Sequence, residues 1–165
     1  MSRKYCSDSE MPPQNPVLES ALECLNGGDW ALLKSKTSRV RFHAGDAIIS
    51  RGSPVTTIYM LRSGVARVEV TRGTAVARLV GGDICGEMGF IEQCMASAWV
   101  IAESDTEADA LDGEQLQKLF ESFPKLAARF YRSLALILSR RLRLTSARLS
   151  TTTKNFPSVA SGYMQ

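Results

Sequence analysis

The sequence predicts a mainly β fold of the α+β class, a β-roll or jelly-roll barrel with helices at both ends. Three observations support this prediction. Residues 37–111 hold short segments with alternating apolar and polar residues, separated by turns that contain glycine. These connections are too short for the crossover helices of a parallel sheet. In the flanking regions, 17–36 and 112–149, apolar residues recur at steps of three and four, as on one face of a helix.

The N-terminal region is predicted to hold a leader and two short helices. Residues 1–16 are polar and rich in proline, which is typical of a flexible leader. Helical spacing of apolar residues begins at Val17, and we expect Gly27 and Gly28 to end the first helix, since glycine adopts the left-handed conformation found after helices. A second helix is predicted through Trp30 and Leu33.

The strands of the predicted roll show a period of two. In the segment VARVEV, Val65, Arg67 and Glu69 are expected on one face, and the alternate residues up to Val70 on the other. The segment EADALD is predicted to be the last strand. These strands are typical of a half-buried antiparallel sheet.

Two helices are predicted to follow the roll. Asp112, with Gln115 three residues later, has the spacing of a helix cap. Pro124 suits the first turn of a longer helix. Along that helix we expect an apolar seam at steps of three and four: Ala127, Tyr131, Leu134, Leu138, Leu142, Thr145 and Leu149. Residues 150–165 are rich in Ser and Thr, and a disordered tail is predicted there.

One stretch within the roll, GEMGFIEQCMASAWVIA at 86–102, has the pattern of a small anion pocket. It starts with a glycine and an acid, continues through one short apolar turn and resumes as an alternating strand. The start of a helix offers unpaired N–H groups to an anion. The stretch nevertheless contains no lysine, arginine or histidine.

Four segments in their order resemble the cyclic nucleotide-binding domain family, as found in catabolite activators, protein kinase A regulatory subunits and gated channels. They are FHAGDAIISRGSP, IYMLRSGVARVEV, GGDICGEMGF and SAWV. The resemblance extends over residues 42–142. It implies one domain at 17–149, with a β-roll at 37–111 and the family's phosphate-binding cassette at 86–98.

The resemblance also implies a ligand site. In the family, backbone N–H groups of the cassette helix bind a cyclic phosphate, and a glutamate accepts a hydrogen bond from the ribose 2′-hydroxyl. Gly86 and Glu87 match the glycine and the glutamate, while Ser97 and Ala98 match the polar and small residues beside the phosphate. Met88 and Gly89 lie in the same turn and are further candidates. The implied ligands are cAMP and cGMP.

Ala96 departs from the family pattern, in which an arginine precedes the Ser-Ala pair and binds the phosphate. No lysine or arginine lies between Arg78 and Lys118, so Glu87 has no compensating cation within the cassette. Three alternatives follow. The site is empty and the domain serves an interaction; or it binds cyclic nucleotide weakly or with a substitute cation from the C-terminal helix; or it holds a less anionic small molecule.

Enzymatic and metal functions are not indicated. His43 stands alone, whereas metal-dependent enzymes with related barrels use histidine clusters. Cys6, Cys24, Cys85 and Cys94 show no metal-ligand spacing and are predicted to be free thiols. We therefore expect a non-enzymatic regulatory module.

Partners are predicted from charge and from the last helix. The 165 residues carry a net charge of +3, which is too small to indicate nucleic acid. Only a short polar stretch is printed after the basic C-terminal helix, so we expect no helix-turn-helix domain for binding DNA. No apolar run is long enough to span a bilayer. A cytoplasmic protein is expected. It is predicted to form a homodimer through the helix at 125–149 or to act on a regulated partner protein, transporter or channel.

Overall fold

The computed structural model describes residues 21–153. The predicted leader (1–16), residues 17–20 of the predicted first helix, and residues 154–165 of the predicted tail lie outside this range. The described helices are α1 (Gly27–Lys34), α2 (Glu87–Glu92), α3 (Gly113–Ser122) and α4 (Pro124–Thr153).

The described strands are β1 (Thr37–Phe42), β2 (Ala47–Ile49), β3 (Thr57–Ser63), β4 (Val65–Thr71), β5 (Thr74–Val80), β6 (Ile84–Cys85), β7 (Trp99–Ala102) and β8 (Thr106–Asp112). They form two four-stranded antiparallel sheets, with the orders β1-β8-β3-β6 and β2-β7-β4-β5. The two sheets make up the β-roll, and the predicted fold class is confirmed.

Strand β3 joins the two parts of the core because its side chains alternate between opposite faces of the sheet. Ile58 and Met60 face the helices and pack with residues of α1, α3 and α4. Leu61 faces the interior of the roll, where it packs with Ala66, Val100 and other small or branched residues. Strand β6 does the same, with Ile84 on the helix side and Cys85 on the roll side, so these two strands connect the helices to the roll.

The predicted alternation of buried and exposed side chains along β4 is wrong after Val68. The pairing with β5 shifts its register between Val68 and Glu69, which is the mark of a β-bulge. Beyond this point the faces exchange, so Glu69 is buried and Val70 is 43% exposed. Arg67 and the backbone N–H of Gly73 satisfy the buried carboxylate.

The segment Asn-Gly-Gly begins a helix, whereas the sequence analysis predicted that it ends one. Asn26 is the N-cap of α1, where its side-chain oxygen accepts from the backbone N–H of Asp29. The carboxylate of Asp29 accepts from the backbone N–H of Asn26 in return, which completes a capping box. These two hydrogen bonds compensate for the poor helix propensity of Gly27 and Gly28.

The C-terminal helices begin where they were predicted. Asp112 caps α3 by accepting from the backbone N–H of Gln115, and Pro124 opens α4. Helix α4 continues to Thr153, so the prediction of a disordered tail from residue 150 is wrong for 150–153.

The predicted seam of α4 is also displaced. The fully buried positions are Leu126, Phe130, Ser133 and Leu134, and Phe130 packs on Phe120 of α3. Tyr131 is 40% exposed and Leu142 is 68% exposed. Only the first half of α4 is therefore built into the core.

Candidate functional site

The cassette connects β6 to β7 and contains helix α2. Gly86 precedes α2 with a φ of 89°, and a Cβ there would lie 2.4 Å from the carbonyl oxygen of Thr57. At Gly89, a Cβ would lie 2.5 Å from the Cβ of Val55. Both positions need glycine because the cassette passes close to the chain that leads into β3.

The structure brings all seven candidate residues to one cavity of about 150 Å³: Gly86, Glu87, Met88, Gly89, Ala96, Ser97 and Ala98. Its other walls are largely apolar and come from the interior of the roll, with Ile49, Val68, Leu79 and Val100 among them. The cavity therefore resembles a ligand pocket in being apolar with a few polar groups. That these residues bind a ligand stays a prediction.

Glu87 is the buried acid of this cavity, with 3% of its surface exposed. Burial raises the pKa of its carboxyl group above the usual range, and the guanidinium of Arg141 opposes that rise. Arg141 donates from Nη1 to Glu87 Oε1 at 2.5 Å and from Nη2 to the carbonyl oxygen of Ile84 at 2.5 Å. The acid of the cassette is thus paired with helix α4.

Arg141 was not singled out by the sequence analysis, which raised a cation from the C-terminal helix only as one alternative. It lies 54 positions from Glu87 in the chain. The expectation that Glu87 has no cation holds within the cassette, but the fold provides one from outside it. The signal in the sequence was weak: a buried acid without a nearby base, and several arginines on the last helix.

Ala96 is held by backbone bonds to the turn between β2 and β3. Its N–H donates to Ser53 O at 2.9 Å, and its carbonyl accepts from the N–H of Gly52 at 2.8 Å. Arg51, in the same turn, donates to the carbonyl of Val70 and lies over the ring of Trp99, 5.6 Å from its centroid. Among the described residues that line the cavity, the one cation is Arg141.

The remaining candidates from the sequence are His43 and the four cysteines. His43 is exposed at the end of β1. Cys85 is buried, which raises the pKa of its thiol far above the usual range, and Cys24, Cys85 and Cys94 are free thiols. Cys6 lies outside the described range. Within residues 21–153, no group of His, Cys, Asp and Glu side chains has the arrangement of a metal site.

None of the helices within residues 21–153 is both long enough and apolar enough to cross a bilayer.

The fold and the cavity define a class: a β-roll that carries a short helix and a buried acid at a largely apolar pocket, with a C-terminal helix against it. Residues 39–123, more than half of the chain, match the family model described as cyclic nucleotide-binding domain. The chain belongs to the cyclic nucleotide-binding domain family, and this domain is a regulatory module.

Two proteins with similar sequences are bacterial glutaminases. Glutaminase 1 of Bradyrhizobium diazoefficiens is 30% identical over 80% of this chain and 21% of its own length, and glutaminase 2 of that organism is 31% identical over 72% and 19%. This chain therefore spans about a fifth of these relatives.

Two solved structures share the fold. A cyclic nucleotide-binding domain from Methylobacillus flagellatus has a TM-score of 0.74 at 20% identity and covers 88% of each chain. The catabolite activator protein of Thermus thermophilus has a TM-score of 0.65 at 28% identity, covering 81% of this chain and 62% of its own.

Proposed function

We propose that this chain is a non-enzymatic regulatory module whose cassette binds cyclic nucleotide weakly or not at all. The observation that carries the proposal is the alanine at position 96, where the family pattern has the arginine that binds the phosphate. The cavity's cation, Arg141, is engaged by Glu87 and by the carbonyl of Ile84.

The size of the effect follows from the missing contact. A hydrogen bond between a charged donor and a phosphate contributes about 1.5–3 kcal/mol. Its loss weakens binding by roughly ten- to a hundredfold, at about 1.4 kcal/mol for each tenfold change in the dissociation constant. The backbone N–H groups at the start of α2 remain as anion donors, but helix α2 spans only Glu87–Glu92.

The second candidate function is a working receptor for cAMP or cGMP that regulates a partner, a transporter or a channel. One observation favours it: Arg141 lines the same cavity as Ser97 and Ala98. A guanidinium at the wall of this cavity is the substitute cation that this candidate function requires.

Calorimetry separates the two functions. The purified chain is titrated with cAMP and with cGMP up to millimolar concentration. The weak-binding proposal expects no saturable heat in the micromolar range. Saturation at low micromolar concentration of either nucleotide would overturn it in favour of the receptor.

The substitution Ala96→Arg tests the reason for weak binding. Because the guanidinium restores the missing contact, cyclic nucleotide affinity is expected to rise by about ten- to a hundredfold. Ala96→Gln is the matched control, since it adds a long side chain without the charge. Equal affinity in both variants would mean that the cassette backbone no longer fits a phosphate.

The partner of the module is part of the proposal. We place it in the cytoplasm and propose that it pairs with a second copy through the helix at 125–149 or acts on a regulated protein. Support comes from apolar side chains on α4 that the described structure leaves in solvent, among them Leu142 and Leu144, which are 68% and 62% exposed. Since two relatives that this chain matches over about a fifth of their length are glutaminases, an enzyme is among the regulated partners that we propose.

A further inference from the structure

We propose that the outer side of strand β7 carries a phosphate-binding site built from Trp99, Arg51 and Arg72. This inference goes beyond the proposed function, because it concerns a place apart from the cavity and holds whether or not the cavity takes a nucleotide. Trp99 begins β7, and its neighbour Val100 lines the cavity. Since successive side chains of a strand point to opposite faces, Trp99 points away from the cavity.

Two arginines from different loops meet at this tryptophan. The guanidinium of Arg72, in the turn between β4 and β5, lies 4.6 Å from the ring centroid, and that of Arg51, between β2 and β3, lies 5.6 Å from it. The two guanidinium carbons are therefore within about 10 Å of each other. One phosphate can bridge such a distance with hydrogen bonds of about 2.8 Å to each guanidinium.

The acid beside these arginines is already neutralised. Glu69 lies directly opposite Trp99 in the pairing of β4 with β7, and it is buried. Its carboxylate accepts from Arg67 Nε at 2.6 Å and from the backbone N–H of Gly73 at 3.1 Å. These two bonds, together with the charge of Arg72, hold the pKa of Glu69 below its usual range. Three guanidiniums and one carboxylate therefore leave two positive charges beside the ring.

The N–H donors of the two arginines are largely free. In the described part of the chain, the side chain of Arg72 donates to no protein acceptor, and Arg51 uses Nη1 for the carbonyl of Val70. Both side chains are exposed. Glu103, the first acid after β7, is held by two hydrogen bonds from Arg78. The donors at Trp99 are thus available to a ligand from solution.

The chemistry of the arginine pair favours a doubly charged phosphate. Because both cations already lie over the ring, the groups left to bind a ligand are their N–H donors rather than the aromatic face. A guanidinium can donate two parallel hydrogen bonds to a phosphate. A phosphate monoester carries nearly two negative charges at neutral pH and matches the two unpaired positive charges, whereas a single carboxylate would neutralise one. A free phosphate ion and a phosphoester on another molecule offer the same oxygens.

Nuclear magnetic resonance of the full chain tests this site. The indole N–H and arginine Nε–H signals are followed near neutral pH while inorganic phosphate replaces chloride at constant ionic strength. The signals of Trp99 and Arg72 are expected to move and to saturate at about millimolar phosphate, as suits an exposed site. Trp30 is the control in the same spectrum, because its ring lies under one lysine, Lys34, and is 6% exposed. Equal shifts of both indole signals, or shifts that never saturate, would overturn the site.

A matched pair of variants separates the site from general charge. Arg72→Gln should weaken phosphate binding by about tenfold or more, because it removes a charged donor of the site. Arg41→Gln removes the same charge from the other sheet, where Arg41 forms an exposed pair with Glu107, and should leave phosphate binding unchanged. Equal weakening in the two variants would show that net charge alone attracts the anion, against the proposal.

Two further ligands decide the source of the phosphate. Tighter binding of O-phosphoserine supports a phosphoester as the ligand, and tighter binding of inorganic phosphate supports the free ion. Succinate that binds as tightly as both would overturn the preference for phosphate.

The same spectra keep this proposal separate from the proposed function. The backbone amides of residues 86–89 and of Ser97 report on the cassette. If they move with phosphate while the side-chain signals of Trp99 and Arg72 stay in place, the anion enters the cassette and the outer site is wrong. Calorimetry with cAMP and cGMP decides the proposed function alone, because neither Trp99 nor the two arginines line the cavity.

Discussion

Helix α4 carries two arginine–carboxylate pairs that share their chemistry and differ in their surroundings. Arg129 binds Asp29 with two hydrogen bonds of 2.6 Å, and Arg141 binds Glu87 with one of 2.5 Å. Both carboxylates are buried, with 4% and 3% exposed. The hydrogen bonds from Arg129 hold the pKa of Asp29 below its usual range, whereas burial raises the pKa of Glu87 above it.

This comparison teaches that an ion pair holds a helix in place only where the residues around the pair are packed as well. Asp29 also closes the capping box of α1, and Arg129 lies on the helix between Leu126 and Phe130 of the core. Glu87 faces a cavity, and its partner lies where α4 has begun to leave the core. The first pair is an anchor in the core, while the second lies at the wall of the cavity.

The largest expected contrast concerns the two halves of α4. Phe130→Ala should lower the free energy of unfolding by about 3–5 kcal/mol, because it leaves a cavity beside Phe120. Leu142→Ala should change it by less than about 0.5 kcal/mol, since that side chain is mostly in solvent. Urea unfolding of both variants measures this, and similar losses would contradict an outer half that stands apart from the core.

The next largest difference in the free energy of unfolding is expected between variants of the two buried acids, Asp29 and Glu87. Asp29→Ala removes the bidentate partner of Arg129 and one member of the capping box, with an expected loss of about 1–3 kcal/mol. Glu87→Gln keeps the shape and a hydrogen-bond acceptor and removes a charge that burial disfavours, so we expect a change below about 1 kcal/mol. The same unfolding assay compares them; a larger loss for Glu87→Gln would make the cassette pair the anchor.

The pH dependence of stability should have opposite signs for the two acids. Because the folded pKa of Asp29 is lowered, its contribution is present above the usual carboxyl value of about 3.9 and is lost as the pH falls through the folded value. Because the folded pKa of Glu87 is raised, its protonated form favours folding, and stability declines as the pH rises from about 4.3 through the folded value.

Unfolding from about pH 3 to about pH 8 tests these signs. Asp29→Asn should flatten the loss of stability in acid, and Glu87→Gln should flatten the decline on the way to neutral pH. Parallel curves for the two variants would show that the environments of the acids do not differ in the way described.

The smallest effect on stability is expected from the exposed end of α4. Leu142→Glu combined with Leu144→Glu should leave unfolding within about 0.5 kcal/mol, yet convert a dimer to a monomer in light scattering because charge opposes burial in an interface. Val70→Glu, at an exposed position on β4, is the control. A monomeric mass for the unmodified chain would remove the homodimer from the proposal.

Local patterns predicted most of the fold, since β-strand alternation, the Asp112 cap and Pro124 each act within a few residues. Sequence alone did not predict the bulge at Glu69, because it arises from the pairing of β4 with β5. It also placed Asn-Gly-Gly at the wrong end of a helix, since the capping box with Asp29 outweighed glycine propensity.

The candidate site also could be predicted only in part from the sequence. The seven cassette residues could be proposed from the resemblance and lie around one cavity. Arg141 could not be identified, since its contact with Glu87 depends on the direction in which a long helix leaves the core. Which stripe of α4 is buried depends on packing against α1, β3 and α3, and nothing in the apolar periodicity of α4 itself fixes that choice.

The length of α4 turns a small displacement into a large one. The helix extends without a break from Pro124 to Thr153, and from its last fully buried side chain, Leu134, to its end it measures about 28 Å, at 1.5 Å for each residue. A tilt of about 10° about that point moves the far end by about 5 Å. The helix therefore acts as a lever that pivots in the core. The hydrogen bond between Arg141 and Glu87 lies closer to the pivot at Leu134 than to the far end of the helix.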